Sequence, residues 1–593
     1  MKLLLQTGLG PHIPLRPYQA RWHHFSVLLA LCFLVAVQIV TYANYLFATV
    51  GIDSFVYSGF MASLPHHLQN FPNTYYGARL PWIVPGYLLT RICGPFLGLM
   101  LLNILFSLAL GLLAYLWFYS LFGFRQGLLL AVLIICIPEV AFQATWHYVS
   151  LPCSTYTLAS LAFTEASIQS SRTRFQRSGL LCLAGGAIAC AIMTNLVLVL
   201  FLPALMSYYF LRSRGASIQR VLADVGGALG GFLATILIYC LAYFKLTRFF
   251  NIFGPALRYL KEKPEVNPWC PVGFDWIRHA VWLILPALAT LVAIRFLFQR
   301  TGDWRDRSKY LALATATLIA MASFIGMQFL GNPVLSLSYY SCLLLPICLG
   351  TLIALIGNIS SIQTCKPGML LGALIAASPV GVLFMSCIYR ELVLANGSVS
   401  VTIWSLAAGL TLLVFWRPIR ASALVLLLLV PQSAFVRPNG DGRYYLDVPS
   451  AYKQFPRHIL TLKPAYWAPA EFFSEYVRAH NYIYNTTRFQ APCFLVESDP
   501  TDAMLTQMGV SILSSYLYTY SMLDLTGSGL SYCKILLETR RYLAVLGSSA
   551  AWRDEQFQRL RALVGDINFV FDSETVLHYK DRTLSLALYK INP

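Results

Sequence analysis

Charge is what this sequence has least of. Only 11% of its 593 residues are Asp, Glu, Lys or Arg, against about 25% in ordinary soluble domains. With 57% apolar residues and a mean hydropathy of +0.62, the chain falls in the polytopic membrane class before any motif is considered. No C-x-x-C pair occurs among its 14 cysteines, so zinc and thiol redox chemistry gain little support. There is no glycine-rich nucleotide loop, no G-x-S-x-G elbow and no evident internal repeat. A nucleotide-dependent enzyme, a serine hydrolase and an inverted-repeat transporter therefore each lack their usual signature.

The charge that is present is unevenly placed. Residues 1–436 hold 27 basic and 10 acidic side chains, whereas residues 437–593 hold 16 and 15. Basic loops in a polytopic chain mark its cytoplasmic side, so the net charge of +18 points to topology and not to a nucleic-acid partner. Most cysteines, Cys136, Cys182, Cys190 and Cys342 among them, lie inside apolar runs and read as small buried hydrophobes. Cys493 and Cys533 share the polar C-terminal part and form one candidate pair if that part lies outside the cytoplasm.

The first apolar run, Phe25 to Ala48, is long enough to cross a hydrocarbon core of ~30 Å. It lacks a small-residue cleavage site, so it reads as a retained helix with the N-terminus inside. The stretch Pro81–Pro95 reads as a short proline-bounded helix at the interface. Spans follow near 96–118, 127–145, 152–168, 179–194, 196–211, 225–244, 279–298, 310–330, 339–356, 368–389, 399–416 and 421–436. The total of about thirteen sends the C-terminus outside, and the loops this topology places inside carry most of the arginines. The expected location is the inner (plasma) membrane, with the C-terminal part periplasmic or extracellular. Residues 1–436 make one membrane domain. Residues 437–593 alternate short strand-like and helical runs and read as a soluble extracytoplasmic α/β domain.

Ten acidic residues lie in the membrane part. Asp224, Asp303 and Asp306 read as solvated partners of neighbouring arginines, and Glu165 falls near the inner end of its helix. Asp53 and Glu139 adjoin the outer ends of spans, where an ionisable group is costly and so a functional candidate. Asp53 could equally cap a helix beginning at Ser54. Arg79, after Tyr75-Tyr76-Gly77-Ala78, is either an interfacial anchor within an aromatic belt or a phosphate clamp. The segment 245–278 interleaves Lys245, Arg248, Arg258, Lys261 and Lys263 with aromatics. It reads either as an interfacial amphipathic helix or as a flap over a lipid phosphate. His147, between Trp146 and Tyr148, could line a sugar site or pack at the interface. His66 and His67 are adjacent and so share no helix face as i,i+4 ligands would. No metal ligand set is assigned, and a divalent cation stays open.

A spanning helix, an outside Asp53 with Tyr57 after it, then Tyr75-Tyr76-Gly77-Ala78-Arg79-Leu80-Pro81 and an interfacial helix together resemble the GT-C membrane glycosyltransferases. That group includes the protein O-mannosyltransferases and the lipid A aminoarabinose transferases. The resemblance covers the layout of the whole chain and rests chiefly on Asp53, Tyr57, Tyr76 and Arg79. It implies a polyprenyl-phosphate sugar donor, a glycan, lipid or protein acceptor, and inversion at the anomeric carbon on the outer face. Asp53 would be the general base and Arg79 the phosphate ligand, with Lys245 and Arg248 behind it. Many relatives carry a further acid in the second outer loop; here that place reads Tyr148-Val149-Ser150-Leu151-Pro152, and Glu139 is the nearest substitute. Two other readings stand beside this one: a flippase of lipid-linked saccharides, and a non-catalytic relative that binds glycan.

Overall fold

The structure is a computed structural model. It describes residues 53–72, 74–136, 148–169, 172–258, 284–298, 304–330, 334–335 and 340–360, and in the C-terminal part 492–495, 522–523, 540–547, 549–565, 567–579 and 582–592, with scattered positions between 27 and 35, at 140, between 475 and 487, and at 537. The expected spans at 368–389, 399–416 and 421–436, nearly all of the first one, the 436/437 boundary, Cys533 and the side chains of Glu139 and His147 lie outside the described residues.

Two short helices open the described part, α1 (Asp53–Ala62) and α2 (Leu64–Asn70). Then come α3 (Leu80–Cys93), α4 (Pro95–Phe122) and α5 (Phe124–Cys136). Gly94 (φ 83°) and Gly123 (φ 89°) separate them, each in a left-handed turn that a side chain would strain. Next are α6 (Ser150–Ile168) and α7 (Arg174–Thr194). A six-residue 3-10 helix, Leu196–Phe201, leads into α8 (Leu202–Arg212), and α9 (Ile218–Thr247) is the longest helix described. The bundle continues with α10 (Ile284–Phe298), α11 (Trp304–Phe329) and α12 (Ser341–Ser360). Four stretches, Leu97–Phe122, Arg174–Thr194, Ile218–Thr247 and Arg307–Phe329, are long and apolar enough to cross a membrane. The protein is a helical membrane protein.

The stretch expected to span at 196–211 is a composite. Asn195 ends α7, and its side-chain oxygen accepts from the Val197 amide at 3.2 Å to start the 3-10 turn. Apolar composition alone does not reveal such a break. Asp224 also departs from expectation. It is 5% exposed, with Arg177 at 2.8 Å and the Tyr209 hydroxyl at 2.9 Å, so it is a buried partner and not a solvated one. A carboxylate on a helix packed against another helix cannot reach water, and it is satisfied by charge-assisted bonds instead.

Helices α7 and α9 run side by side in the same direction. Gly185 faces the Ala228 carbonyl and Gly231 faces the Cys182 carbonyl; a β-carbon at either place would lie within 2 Å of backbone oxygen. Glycine is what lets the two backbones approach this closely. Because α9 continues past the end of α7, it carries its last turn to the loop beyond α2. There the Tyr243 hydroxyl donates to the Pro72 carbonyl at 2.6 Å.

The C-terminal part contains a five-stranded sheet: β1 (Cys493–Leu495), β2 (Met522–Leu523), β3 (Tyr542–Gly547), β4 (Asn568–Tyr579) and β5 (Arg582–Asn592), with α13 (Ala550–Val564) after β3. The order is β2-β1-β3-β5-β4, with parallel pairing around β1 and antiparallel pairing around β5. Alternation with a period of two sends Cys493, Leu495, Leu543 and Val545 to one face, where Phe557 and Leu560 of α13 cover them. Phe494, Ala544, Leu546, Leu584, Leu586 and Leu588 share the other apolar cluster with Ala479 and Ile483. The Cys493 thiol donates to the Tyr542 carbonyl at 3.4 Å within the sheet.

Candidate functional site

The local sequence explains how the first loop presents Arg79. Leu68, Phe60 and Thr74 pack where a Gly77 side chain would be, the nearest of them 2.7 Å from an added β-carbon, so only glycine lets the turn close here. The Gly77 amide donates to the Thr74 hydroxyl at 3.1 Å. Arg79 then occupies the N-cap position of α3, and its carbonyl accepts from Trp82 and Ile83 at 3.0 and 3.1 Å. Pro81 in the first turn costs nothing because its missing amide would have no partner there. The helix is pinned below by the Thr90 hydroxyl on the Met61 carbonyl at 2.7 Å. On its flank the Tyr156 hydroxyl holds the Pro81 carbonyl at 2.8 Å.

The Arg79 side chain is 3% exposed. One guanidinium nitrogen, Nη1, donates to the Tyr57 hydroxyl. The guanidinium carbon lies 3.9 Å from the centre of the Tyr75 ring and 5.6 Å from that of Tyr57. Tyr57 meets Tyr76 edge-on at 5.4 Å and Tyr148 at 6.0 Å. Among the described residues no carboxylate lies within ion-pair distance of Arg79. A charge so buried is ordinarily paired.

Arg79 and Tyr75 line a narrow cleft with about 10 Å³ of enclosed space, room for about one water. Its walls are Ile192, Met193, Thr194 and Leu196, at the break between α7 and the 3-10 helix, and Ile252, Phe253 and Ala256 beyond α9. The Thr194 hydroxyl donates to the Cys190 carbonyl at 2.7 Å. The cleft thus places one cation and the hydroxyl-bearing Tyr75 and Thr194 beside apolar side chains.

Of the sequence-derived candidates, the structure brings Tyr57, Tyr76 and Arg79 together. Asp53 is the first residue of α1, one turn before Tyr57, so the two backbone positions share a helix face; the Asp53 side chain lies outside the described residues. Lys245 and Arg248 are exposed at the end of α9 and are not among the cleft walls. Arg248 has φ 66°, the one non-glycine residue with positive φ among those described. The beginning of the segment 245–278 does reach the cleft, through Ile252, Phe253 and Ala256 and not through its cations. His67 is fully buried, with Nδ1 3.2 Å from the Ser63 carbonyl and its ring 5.0 Å from Phe60. No group of three or more His, Cys, Asp or Glu able to hold a metal occurs among the described residues.

Sequence reasoning missed two parts of the site. Tyr75 was indistinguishable from a membrane-belt tyrosine, because nothing in the sequence says on which side of the turn it falls. The Thr194 wall could have been found from Thr194-Asn195, two helix-weakening polar residues inside an otherwise apolar stretch.

No protein-family model matches the chain, and no curated protein sequence does. Solved structures do. ArnT from Cupriavidus metallidurans in the apo state superposes with a TM-score of 0.51 at 15% identity, covering 94% of this chain and 97% of that one. The same protein bound to undecaprenyl phosphate matches with a TM-score of 0.48 at 15% identity, over the same shares. The oligosaccharyltransferase of Archaeoglobus fulgidus in its apo form gives 0.44 at 12% identity, covering 92% of this chain and 73% of that one. The fold of this chain is similar to that of ArnT.

Proposed function

We propose that the chain is a glycosyltransferase that moves a sugar from a polyprenyl-phosphate donor to a glycan, lipid or protein acceptor at the outer face of the membrane. The observation that carries this reading is Arg79: a guanidinium 3% exposed, pairing with no carboxylate among the described residues, beside the apolar side chains of a narrow cleft. A phosphate headed by a prenyl chain satisfies both parts, with oxygens for the guanidinium and hydrocarbon for Ile192, Leu196 and Phe253.

In this reading Asp53 takes the proton from an acceptor hydroxyl, and attack from the face opposite the phosphate inverts the anomeric carbon. The phosphate leaves with added charge, which Arg79 offsets in a site that is largely dry. Lys245 and Arg248 draw the anionic donor to the mouth of the groove. The sheet-containing part, residues 437–593, lies on the same outer side and meets the acceptor. Glu139 and His147 are assigned to the sugar on their sequence position alone.

The test uses the purified full-length chain, a labelled polyprenyl-phosphate sugar and an envelope extract as the source of acceptor. The expected result is consumption of the donor and label in the acceptor with no membrane gradient. Transbilayer movement of an intact donor would instead establish a flippase. Retention of glycan with no donor turnover would establish a binding protein.

A further inference from the structure

We infer that Tyr75 is the positioning residue of Arg79, fixing the plane of the guanidinium so that its in-plane N–H edge, and not its face, is offered to the anion in the cleft. This rests on the reading of Arg79 as the phosphate ligand.

The Arg79 guanidinium carbon lies over the Tyr75 ring. The guanidinium carbon lies 3.9 Å from the Tyr75 ring centre, well inside the ~6 Å at which a cation gains from a ring face. The longer 5.6 Å approach to Tyr57 accompanies a hydrogen bond from Nη1 to the Tyr57 hydroxyl, which fixes the rotation of the group within its plane. Two different contacts thus set two different degrees of freedom: Tyr75 sets the plane and Tyr57 the direction. Tyr75 is itself held, edge-on to Tyr76 at 5.5 Å, and Tyr76 is edge-on to Tyr57 at 5.4 Å, so the three rings and the cation form a closed set.

A guanidinium carries five N–H donors in one plane. Stacking uses the face and consumes none of them, and the hydrogen bond to Tyr57 consumes one. The others keep the flat, forked geometry that matches two phosphate oxygens at once. Ordering this long side chain before the ligand arrives removes a cost that would otherwise fall on binding. An ammonium group has no plane to fix, so lysine at position 79 would keep an attraction to the tyrosine face but gain no orientation from it.

Titration of the detergent-solubilised full-length chain with farnesyl phosphate, read by calorimetry beside farnesol and inorganic phosphate, tests this. Wild-type protein is expected to take farnesyl phosphate and to ignore farnesol. Tyr75→Phe keeps the ring face and is expected to bind within about twofold of wild type. Tyr75→Leu is expected to weaken binding about tenfold, with an unchanged melting midpoint. Arg79→Lys is expected to bind weakly and to lose less from a second change of Tyr75 to leucine than Arg79 does. Equal binding by Tyr75→Leu and wild type, while Arg79→Gln loses it, would overturn the role of Tyr75 and leave the phosphate reading standing. Wild-type binding of farnesyl phosphate no tighter than farnesol would overturn both. Tighter binding of inorganic phosphate than of farnesyl phosphate would make the site one for a free anion and overturn its lipid character.

Discussion

Arg212 grips Glu165 with two hydrogen bonds, Nε to Oε2 at 2.9 Å and Nη2 to Oε1 at 2.5 Å. The pair ties α6 to the end of α8. The Tyr208 hydroxyl adds a third bond to the same carboxylate at 2.9 Å, and Tyr208 in turn accepts from the Trp117 indole at 3.0 Å. Arg212 also reaches Ser308 of α11 at 3.2 Å. Four helices are thus linked through one network around a carboxylate that is 2% exposed, with α6 and α8 bonded directly and α4 and α11 through Tyr208 and Arg212.

Glu165→Ala leaves a buried guanidinium and a buried hydroxyl without their partner. It should destabilise the protein by about 3–5 kcal/mol, whereas replacing both Glu165 and Arg212 with leucine should cost less than the single change. Thermal unfolding in detergent measures the order. A double variant less stable than Glu165→Ala would contradict this account of the network.

Asp53→Asn should leave the melting midpoint in place and lower transfer by about 10²–10⁴-fold, the usual worth of a general base. Binding of farnesyl phosphate should be kept, since the groove and Arg79 are untouched. Turnover near that of wild type would take the proton-accepting role away from Asp53.

The crossing of α7 and α9 distinguishes two kinds of glycine on one helix. Gly231 faces the Cys182 carbonyl, whereas nothing lies within 4 Å of the place a Gly230 side chain would take. Gly231→Leu should force the helices apart and cost at least about 1–3 kcal/mol. Gly230→Leu should unfold at the wild-type temperature or slightly above it, as glycine is a poor helix former. Equal effects of the two changes would mean that the helices do not pack this way.

In the C-terminal sheet, a hydrogen bond from the Ser585 hydroxyl holds the Glu574 carboxyl below the usual range; partial burial opposes this, and Arg553 at 2.8 Å supports it. A carboxylate whose folded pKa is lowered stabilises the fold above its unfolded value of about 4.3 and loses that contribution as the pH falls through the folded value. Protection factors of the β4–β5 hairpin amides, corrected for the intrinsic exchange rate at each pH, should therefore fall on acidification below about pH 4. Glu574→Gln should show the lower protection already at neutral pH and a flatter acid response.

How much of this was legible in the sequence follows from which forces act locally. The apolar runs fixed most helices because about twenty apolar residues can satisfy their backbone groups within a bilayer in no other simple way. The strand Tyr542–Gly547 was legible as a short apolar run, parts of Asn568–Tyr579 and Arg582–Asn592 as strand-like runs, and α13 from its amphipathic pattern. Tyr57, Tyr76 and Arg79 could be named as a group because the family resemblance rests on them. What stayed hidden depends on partners distant in the chain. Glu165 was placed only near the inner end of its helix, and its partner Arg212 lies far along the chain. Asp224 looked solvated until α7 supplied Arg177. The cleft wall at Thr194 exists only because α9 overshoots α7 and brings Ile252 and Phe253 across.

That overshoot carries a mechanical consequence. The bond from Tyr243 to Pro72 makes α9 a lever whose far end is fastened to the strap bearing Tyr75 and Arg79. Tilting a long apolar rod to suit a thinner or thicker bilayer would pull directly on the cation's mounting, so the surrounding lipid is itself a variable in how the groove is set.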